Sequence, residues 1–458
     1  LTFMVPGSFL LSCDANPSNR TIYVPGDYST IQQAIDNASE GDTIIVGNGT
    51  YNEQVIINKD NLFIRSKYGA SNTIINATGQ GTSYGGIVFE ADGCTFEGFT
   101  VIDYSDEGYE NKIIRINGNN NTIRNNIIRG NLNQPGISDQ TEYGILFQST
   151  ASGNLIENNE IYDIGYIGIN IYGGEGAHNN TVRNNYVHDI GIYAIAVDRS
   201  PNNTVTQNTI SNLVGGTLWG TYYDPDTYCW GIVVWGANSA GTLITQQNIT
   251  NLPNGIVLSS AQNVTIENCN ISNNDNYGVR ISYTGWVGDI PENNTIMGNT
   301  ICNNRVGIYI TAETGPIGPF NIIRHNNIYG NRERGLNNTS PTLIDAEYNY
   351  WGDSTGPYHA TLNSDGQGDN VSDNVEFTPW LDAPYPEGQP YADIFIDSNG
   401  NGQYDEGEPA FYSIQSAIDN AREGDTIIVG PGIYRESLII NKPLKIIGDP
   451  VIDAHGSK

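Results

Sequence analysis

The sequence is poor in basic residues and in charged residues of any kind. Lys and Arg number 20 against 50 Asp and Glu, which gives a formal net charge of −30, and charged residues make up only 15% of the chain. Because no basic patch could release phosphate counterions, nucleic acid and anionic membrane surfaces are poor partners. The sequence also lacks an apolar run of about 18 residues, so it predicts no membrane span.

Cysteine is scarce as well. The cysteines form no CxxC pair and no spacing typical of a metal site; they are Cys13, Cys94, Cys229, Cys269 and Cys302. An odd count leaves at least one thiol unpaired or bonded between chains. Cysteine use therefore does not decide the cellular compartment.

Asparagine, in contrast, is abundant and often opens an N-x-Ser/Thr triplet, the acceptor for N-glycosylation. The candidate glycosylation sites are Asn19, Asn37, Asn48, Asn76, Asn120, Asn179, Asn202, Asn248, Asn263, Asn270, Asn293, Asn337, Asn338 and Asn370. Many such triplets arise by chance in a chain rich in Asn and Thr. The set still favours an extracellular glycoprotein of the cell surface.

One sequence phrase recurs every 22 to 39 residues between about residues 120 and 350. Examples are NNTIRNNIIRGN, NNTVRNNYVHDI and NNTIMGNTICNN, and most copies are followed by a short strand such as GILF, GINI or GIVV. Short strands separated by Asn and Gly turns are typical of a solenoid, in which each coil adds one strand to each of several parallel sheets.

Aligning the copies gives three apolar columns, which begin at Ile123, Ile128 and Ile145, and one polar column. β-branched residues in register are expected to build a continuous stacked core. The polar column is Asn126, Asn159, Asn185, Asn208, Gln247, Cys269, Asn299 and Asn326. Its amides are expected to point inward and to bond the coils above and below. Cys269 interrupts this ladder and is expected to be a small buried thiol.

This repeat resembles the parallel β-helix superfamily, which includes pectate lyases, pectin methylesterases and NosD-like extracellular surface proteins, often archaeal. Residues 28–59 are similar to that family's first coil with its short capping helix, and residues 347–363 and 375–381 are similar to its closing coil. The resemblance implies an all-β, right-handed parallel β-helix and an extracellular setting. The superfamily holds both enzymes and scaffolds, so function must be argued from sites.

The sequence of the capping helix and first coils occurs twice. Residues 413–448 repeat residues 30–65 at a constant offset of 383. The sequence predicts an extended tail at 1–27, a β-helix domain at 28–384, a linker at 385–410 and an incomplete second module at 411–458 homologous to 28–75. One or two coils cannot bury their own face. Either the chain is a fragment of a longer array or a neighbouring subunit supplies the missing coils, with residues 1–13 as a candidate donor strand.

The linker holds one sharp motif, since residues 397–408 fit D-x-[DN]-x-[DN]-G-x5-E in full. Its hard oxygen donors suit Ca²⁺. The predicted ligands are Asp397, Asn399, Asn401, Gln403, Asp405 and Glu408. A strand-like segment before the loop and Pro409 after it indicate an isolated calcium loop that stiffens the joint between modules. The alternative is a flexible, acidic, Gly-rich linker.

No catalytic set is predicted, and enzymatic activity is the less favoured interpretation. Asp163 and Asp189 occupy equivalent positions in successive coils beside His188, where two carboxylates could perform acid–base chemistry or hold a second Ca²⁺. The same column continues as Asn212 and Asn251, which favours turn residues that cap their own backbone. The motifs expected of polygalacturonases, pectin methylesterases and pectate lyases are absent from the sequence.

Two loop insertions, residues 214–230 and 283–293, are rich in aromatic side chains expected to point outward. The candidate sugar or subunit contacts are Trp219, Tyr222, Tyr223, Tyr228, Trp230 and Trp286. Their rings could stack on sugars or pack against a neighbouring subunit. Simple loop packing is the third interpretation.

The sequence therefore favours an extracellular structural protein of a cell surface, sheath or filament. Copies of the chain would assemble end to end, with Ca²⁺ as the cofactor. The alternative is a carbohydrate-binding or polysaccharide-cleaving β-helix protein of the lyase or hydrolase type, with a polysaccharide as its partner.

Overall fold

The computed structural model describes residues 19–80, 85–103, 111–132, 142–148, 150–173, 176–218 and 221–454. The predicted donor strand at residues 1–13, with Cys13, lies outside them. Three long parallel sheets, of 14, 11 and 11 strands over the described residues, wind into a solenoid, as the repeat predicts. No helix in these ranges is both long enough and apolar enough to cross a membrane.

Each complete coil contributes one strand to each sheet. The first sheet consists of Thr21–Val24, Thr43–Val46, Phe63–Ser66, Thr95–Glu97, Thr122–Arg124, Leu155–Glu157, Thr181–Arg183, Thr204–Thr206, Leu243–Thr245, Thr265–Glu267, Thr295–Met297, Ile322–Arg324, Ile344–Asp345 and Val375–Glu376. The second sheet consists of Gly49–Tyr51, Thr73–Asn76, Thr100–Ile102, Ile127–Arg129, Glu160–Ile164, Tyr186–Ile190, Thr209–Leu213, Asn248–Thr250, Asn270–Ser272, Thr300–Cys302 and Asn327–Tyr329. The third sheet consists of Val55–Ile57, Ile87–Phe89, Asn111–Ile116, Glu142–Phe147, Ile167–Tyr172, Tyr193–Asp198, Trp230–Trp235, Ile256–Ser259, Tyr277–Ser282, Val306–Thr311 and Arg334–Asn338.

Short helices and small sheets accompany the three long sheets. The helices are Ile31–Asp36, Pro225–Tyr228 and Ile414–Asn420, with 3₁₀ turns at Ala70–Asn72 and Ala237–Ser239. Small paired strands are Gly216–Leu218 with Thr221–Tyr223, Pro357–Tyr358 with Gly368–Asn370, and Trp380–Leu381 with Pro390–Tyr391. A separate C-terminal sheet holds Ile394–Asp397, Thr426–Tyr434 and Lys445–Ile452.

The predicted apolar columns are confirmed. Ile123 pairs in register with Ile156, and Ile156 pairs with Val182, in the first sheet. These side chains are 0% exposed, as are Ile128 and Ile145 at the heads of the other two columns. Each coil thus buries branched aliphatic side chains directly against the next coil, and the core runs along the solenoid axis without a central hub.

The predicted amide ladder is confirmed as well. The backbone N–H of Asn126 donates to Asn159 Oδ1 at 3.0 Å, and that of Asn159 donates to Asn185 Oδ1 at 3.0 Å. At the interruption, Gln247 N lies 3.5 Å from Cys269 Sγ, whereas Cys269 N donates to Asn299 Oδ1 at 2.9 Å. Each side chain of this ladder therefore accepts a hydrogen bond from a buried backbone N–H, which would otherwise be unpaired at the bend.

Two further amide ladders were not predicted. Asn121 N donates to Asn154 Oδ1 at 2.8 Å, just before the strands of the first sheet. Asn274 N donates to Asn304 Oδ1, and Asn304 N to Asn331 Oδ1, both at 3.0 Å, after the second sheet. Buried amide stacks thus occur at other bends of the coil besides the predicted one.

A short helix covers the first coils and is held by one carboxylate. Glu53 accepts the backbone N–H groups of Ile31 and Gln32, each at 2.9 Å, and so satisfies donors that a helix start leaves free. The same contacts recur at the offset of 383, where Glu436 accepts from Ile414 and Gln415 at 2.9 Å.

The C-terminal sheet begins differently from the first sheet. Thr21–Val24 runs parallel to Thr43–Val46. In the C-terminal sheet the corresponding place beside Thr426–Tyr434 is taken by Ile394–Asp397, which runs antiparallel. A reversed strand therefore closes this edge of the C-terminal sheet.

Candidate functional site

The predicted calcium loop is folded back on itself between two paired segments. Asp397 ends a strand, and Ile396 N donates to Pro409 O at 3.0 Å on the far side of the loop. Asp397 accepts the backbone N–H groups of Gly400 at 2.6 Å and Gly402 at 2.9 Å. Gly402 has a φ of +77°, which favours glycine at this turn.

The other predicted ligands lie around the same loop. Asp405 Oδ2 accepts the side-chain amides of Asn399 and Asn401, each at 2.6 Å. Gln403 N donates to Asn401 Oδ1 at 2.7 Å. Glu408 closes the loop, with one carboxylate oxygen 2.6 Å from Ser398 N and the other 3.1 Å from Asp405 N.

This donor set fits Ca²⁺ in its chemistry, because carboxylate and amide oxygens come together in one turn. Asp397 and Glu408 are 8% and 9% exposed, so the loop holds its first and last carboxylates out of solvent. No group of three or more His, Cys, Asp or Glu side chains converges on a metal position within the described ranges. Amide and carbonyl oxygens would therefore have to supply much of the coordination.

A cavity of about 480 Å³ separates the loop from the last coils. It is lined by Glu347, Glu376, Tyr404, Glu408 and Tyr412, among others. Burial raises the pKa of the Glu347 carboxyl to about 7, against the opposing effect of Arg324. The joint therefore contains several carboxyl groups in a partly dehydrated space.

The carboxylates considered for catalysis lie within the strands Glu160–Ile164 and Tyr186–Ile190, at positions with a left-handed backbone. Asp163, Asp189, Asn212 and Asn251 have φ values of +58°, +54°, +53° and +58°. Asp and Asn tolerate this left-handed conformation better than most residues, which explains why they occupy this column. Among its contacts, Asp163 forms an ion pair with Arg129, whose Nε lies 3.2 Å away.

His188 lies on the outer side of the second sheet in an aromatic stack. Its ring lies 5.0 Å from Tyr162 and 4.2 Å from Tyr186, centroid to centroid, and is nearly parallel to Tyr162. Nδ1 is 2.6 Å from Asp189 Oδ2, and Nε2 is 3.4 Å from Glu160 Oε1. The imidazole is thus fixed in place by two rings and two carboxylates.

The predicted aromatic contacts divide into exposed and buried side chains. Tyr222, Tyr228 and Trp286 are 61%, 46% and 61% exposed, and Tyr223 is half-buried against Tyr228. Trp219 lies outside the described residues. Trp230 differs from the expectation, because it is only 5% exposed.

Trp230 is buried because it begins a strand of the third sheet and packs among side chains of that sheet's outer face. It belongs to an outer apolar cluster with Tyr143, Leu146 and Ile167. Its ring is also parallel to that of Tyr277 at 6.2 Å. The outer face of the third sheet therefore carries a second, smaller apolar cluster of aromatic and aliphatic side chains.

This aromatic face was not predicted from the sequence. Its members are Tyr143, Tyr166, Tyr193, Trp230, Trp235, Tyr277 and Tyr309. A signal was present, because Tyr-Gly-Ile, Tyr-Ala-Ile, Trp-Gly-Ile and Tyr-Gly-Val recur at the start of these strands. Glycine is needed at Gly278, where a Cβ would lie 2.6 Å from Gly307 O in the next coil.

One cation is placed on the exposed border of this face. The Arg199 guanidinium lies 5.5 Å from the Tyr172 ring centroid and 5.6 Å from the Trp286 ring centroid. It is paired with Asp198, 2.8 Å away, whose pKa is raised by burial against the effect of Arg199. An exposed indole, a phenol and a partly exposed guanidinium paired with a buried carboxylate thus meet at one surface position.

Most of the glycosylation candidates lie on the surface. Asn19, Asn37, Asn48, Asn120, Asn179, Asn202, Asn248, Asn263, Asn270, Asn293 and Asn370 are exposed, and Asn76 and Asn337 are partly exposed. Asn338 is only 4% exposed, and its Nδ2 donates to Thr342 O at 2.8 Å and to Asn374 O at 2.9 Å.

Comparison with known proteins gives a curated relative from Methanothermus fervidus. The chain is 30% identical over 314 residues to this protein, which is named a cell surface glycoprotein. The match covers 64% of the chain and 48% of the relative, so the chain spans about half the length of that protein.

Matches to solved structures have low identity. The A-module of a mannuronan C-5 epimerase from Azotobacter vinelandii is 16% identical, with a TM-score of 0.44 over 76% of this chain and 94% of that one. An alginate lyase from Paenibacillus is 14% identical, with a TM-score of 0.40 over 78% of this chain and 99% of that one. The family model for the right-handed β-helix region matches residues 60–228 and 231–346. The chain therefore belongs to the right-handed β-helix family.

Proposed function

We propose that this chain is an extracellular structural protein of a cell surface, sheath or filament. Its copies assemble end to end through their β-helix units, and Ca²⁺ stiffens the joint between units. The relative named a cell surface glycoprotein supports the surface location. Exposure of most N-x-Ser/Thr asparagines is consistent with a glycan coat on the lateral surface.

The observation that carries the assembly proposal is an apolar surface in the C-terminal unit. Ile440 and Ile447 are 56% and 40% exposed. Their counterparts at the offset of 383, Ile57 and Ile64, are 0% exposed because the next coil covers them. Ile439, Val451 and Ile452 add to this surface at 70%, 60% and 45% exposure. In the proposed assembly the coils of the next β-helix unit cover these side chains.

Contacts at the joint support a stiff connection between the β-helix and the C-terminal unit. Phe377 N and Thr378 N donate to Tyr412 Oη at 2.9 and 3.2 Å. The Phe377 and Tyr412 rings meet edge to face at 5.1 Å. The calcium loop lies beside these contacts, so ordering of the loop by a cation would limit bending at this position.

Negative-stain microscopy of the full chain, in about 1 mM Ca²⁺ and again in EGTA, tests this function. We expect filaments or sheets that loosen when Ca²⁺ is removed. Glu408→Gln, which weakens the closing ligand, should behave in Ca²⁺ as the native protein does in EGTA. Glu423→Gln, at an exposed turn outside the loop, is the matched control. Discrete particles that look the same in Ca²⁺, in EGTA and in the Glu408→Gln variant would contradict the proposal.

Saccharide binding is the second candidate function, favoured by the exposed cluster of Tyr172, Arg199 and Trp286. An indole exposed by 61% beside a paired guanidinium offers a ring face and hydrogen-bond donors to a sugar. Affinity electrophoresis against neutral and acidic polysaccharides tests it. We expect Trp286→Ala to abolish retardation and Tyr358→Ala, an exposed tyrosine elsewhere, to leave it unchanged. Equal mobility of all three proteins in every polysaccharide would contradict this candidate.

A further inference from the structure

The outer face of the third sheet carries an arginine held against two tyrosine rings. Arg280 lies between the core residues Val279 and Ile281, so its side chain points away from the core. Its guanidinium carbon lies 5.9 Å from the Tyr277 ring centroid and 5.8 Å from that of Tyr309. The two rings are stacked 4.9 Å apart, so they form one continuous aromatic support for the cation.

Arg280 differs from two arginines of the first sheet in having no carboxylate partner among the described residues. Arg124 and Arg183 each contact a carboxylate of a neighbouring coil, at 2.6 and 2.7 Å. Within the described part of the chain, Arg280 makes no ion pair, and its buried Nε has no hydrogen-bond partner. A buried donor without an acceptor costs free energy. Arg280 is partly exposed, so the rest of its guanidinium can meet an anion from outside the chain.

Arg305 adds a second cation to the same place. Its guanidinium carbon lies 5.4 Å from the Tyr277 ring centroid, and its Nη2 donates to Tyr277 Oη at 3.2 Å. Its ion pair with Glu333 is long, at 3.8 Å, and its Nε is also buried without a partner among the described residues. Two cations therefore lie on one tyrosine with little internal neutralisation.

Two carboxylates border these cations. Glu333 has a side chain that is 58% exposed, and Glu313 accepts the Tyr309 hydroxyl at 2.9 Å. The arginine–tyrosine patch is defined by Tyr277, Arg280, Arg305, Tyr309, Glu313 and Glu333. It thus combines both signs of charge on one side of the solenoid.

We propose that the arginine–tyrosine patch is a lateral, two-fold contact with a second copy of this chain. Across a two-fold axis the cations Arg280 and Arg305 of one copy face the carboxylates Glu313 and Glu333 of the other. A patch that carries both signs is complementary to itself in this arrangement. The inference rests on the proposed structural function, to which it adds a sideways contact between solenoids.

The overall charge of the chain favours a lateral contact that contains cations. Copies with a net charge of −30 repel one another, and positive groups where two copies meet reduce that repulsion locally. Tyr and Arg are also the side chains that contribute most often to interface hot spots. An acidic polysaccharide is the rival occupant, and it would need Arg280 but not Glu333.

Charge reversal followed by mixing tests the contact on the full chain. Sedimentation velocity should show a concentration-dependent dimer for the native protein, and Arg280→Glu and Glu333→Arg should each weaken it by at least about tenfold. A mixture of the two variants should restore association, because each reversed charge then meets its opposite on the other copy. Arg422→Glu, the same charge change at an exposed turn, should have no effect. If mixing the two variants restores association, the two side chains must meet between chains, since an effect within one chain cannot be corrected by adding another.

Three results would overturn the contact. They are a native protein that stays monomeric at every concentration, variants that associate normally, or a mixture that remains monomeric. Loss of polygalacturonate binding in Arg280→Glu with unchanged association would assign the patch to an acidic polysaccharide instead. Filament formation is read separately by microscopy. Single unpaired filaments of Arg280→Glu would support the lateral contact, whereas absence of filaments in every protein would count against the end-to-end function alone.

Discussion

The hydroxyl groups of Tyr348 and Tyr404 lie 3.1 Å apart, so one donates a hydrogen bond to the other. Tyr348 belongs to the end of the β-helix and Tyr404 to the predicted calcium loop. Burial, followed by the contact with Tyr348, raises the pKa of Tyr404 above its usual range. The bond therefore links the geometry of the loop to the last coils across the joint cavity.

We expect this bond to transmit calcium binding to the β-helix. A site with a Kd near about 0.1 mM would stabilise the folded protein by about 1.4 kcal/mol in about 1 mM Ca²⁺. Differential scanning calorimetry should show a Tm that rises with Ca²⁺ and falls with EGTA. Tyr404→Phe should reduce that rise while Ca²⁺ affinity is retained. Tyr385→Phe, at a partly exposed tyrosine outside the loop, is the control, and an unchanged rise in Tyr404→Phe would contradict the coupling.

Loss of one rung of the predicted amide ladder should be costly. Asn299 is 0% exposed, accepts Cys269 N at 2.9 Å, and donates to Ile266 O at 2.9 Å. Asn299→Ala leaves both backbone groups buried and unpaired, so the free energy of unfolding should fall by about 3 kcal/mol. Urea unfolding, followed by circular dichroism, measures this free energy of unfolding. Asn270→Ala, at an exposed amide, should cost less than about 0.5 kcal/mol, and equal losses would contradict the ladder's role.

The buried thiols should be inert in the folded protein. Burial raises the pKa of Cys94 to about 11 and that of Cys269 to about 12. The thiolate is the reactive form, and at pH 8 it amounts to about 0.1% or less of either residue. Iodoacetamide labelling, read by peptide mass mapping, should modify both only after unfolding. An introduced exposed thiol, Ser71→Cys, should react in the folded state, and labelling of native Cys269 at a similar rate would contradict the burial.

Glu142 should make stability depend on pH. Burial raises the pKa of its carboxyl from 4.5 to about 8, against the backbone N–H groups of Gly165 and Asn131 that lower it. The folded state therefore keeps a proton that the unfolded state loses. The free energy of unfolding should fall as pH rises from 4.5 towards 8, by at most about 1.4 kcal/mol per pH unit. Glu142→Gln, which keeps the accepting oxygen, should flatten this part of the profile. A steeper fall in the variant would contradict the assignment.

Glycan occupancy should follow exposure. Asn338 uses both hydrogens of its amide on backbone carbonyls inside the last coils, so an attached glycan would prevent folding of that turn. Glycopeptide mass spectrometry should find Asn338 unmodified. The overlapping triplet at Asn337, which is partly exposed, provides an internal comparison. A glycan on Asn338 in folded protein would show that this turn is built differently.

The sequence predicts the inside of this protein better than its outside. Ile123, Ile156 and Asn126 occupy positions where each coil imposes the same packing or hydrogen bonding as its neighbours, so their repetition is visible in one sequence. Outward positions face a different environment in each coil. For this reason the burial of Trp230 and the exposed placement of Trp286 could not be separated by residue type alone.

A repeat pattern also does not predict the direction in which a strand outside the repeat will run. The duplicated segment at 413–448 predicted a copy of the first coils, and the contacts of Glu436 match those of Glu53. The antiparallel strand Ile394–Asp397 comes from the linker and has no counterpart in the repeat. Its pairing depends on where the joint brings the linker, which is set by long-range contacts such as those of Tyr412.

The parallel register of the three sheets has a mechanical consequence. Hydrogen bonds between coils run along the solenoid axis, so tension spread over the two end faces of a solenoid loads every bond of a coil boundary together. Thr122, Ile127 and Ile114, on three different sheets, each sit in such a boundary. Rupture then requires a whole coil to separate at once rather than one bond after another. A surface layer built from such solenoids would be stiff under osmotic swelling along the axis of each coil stack.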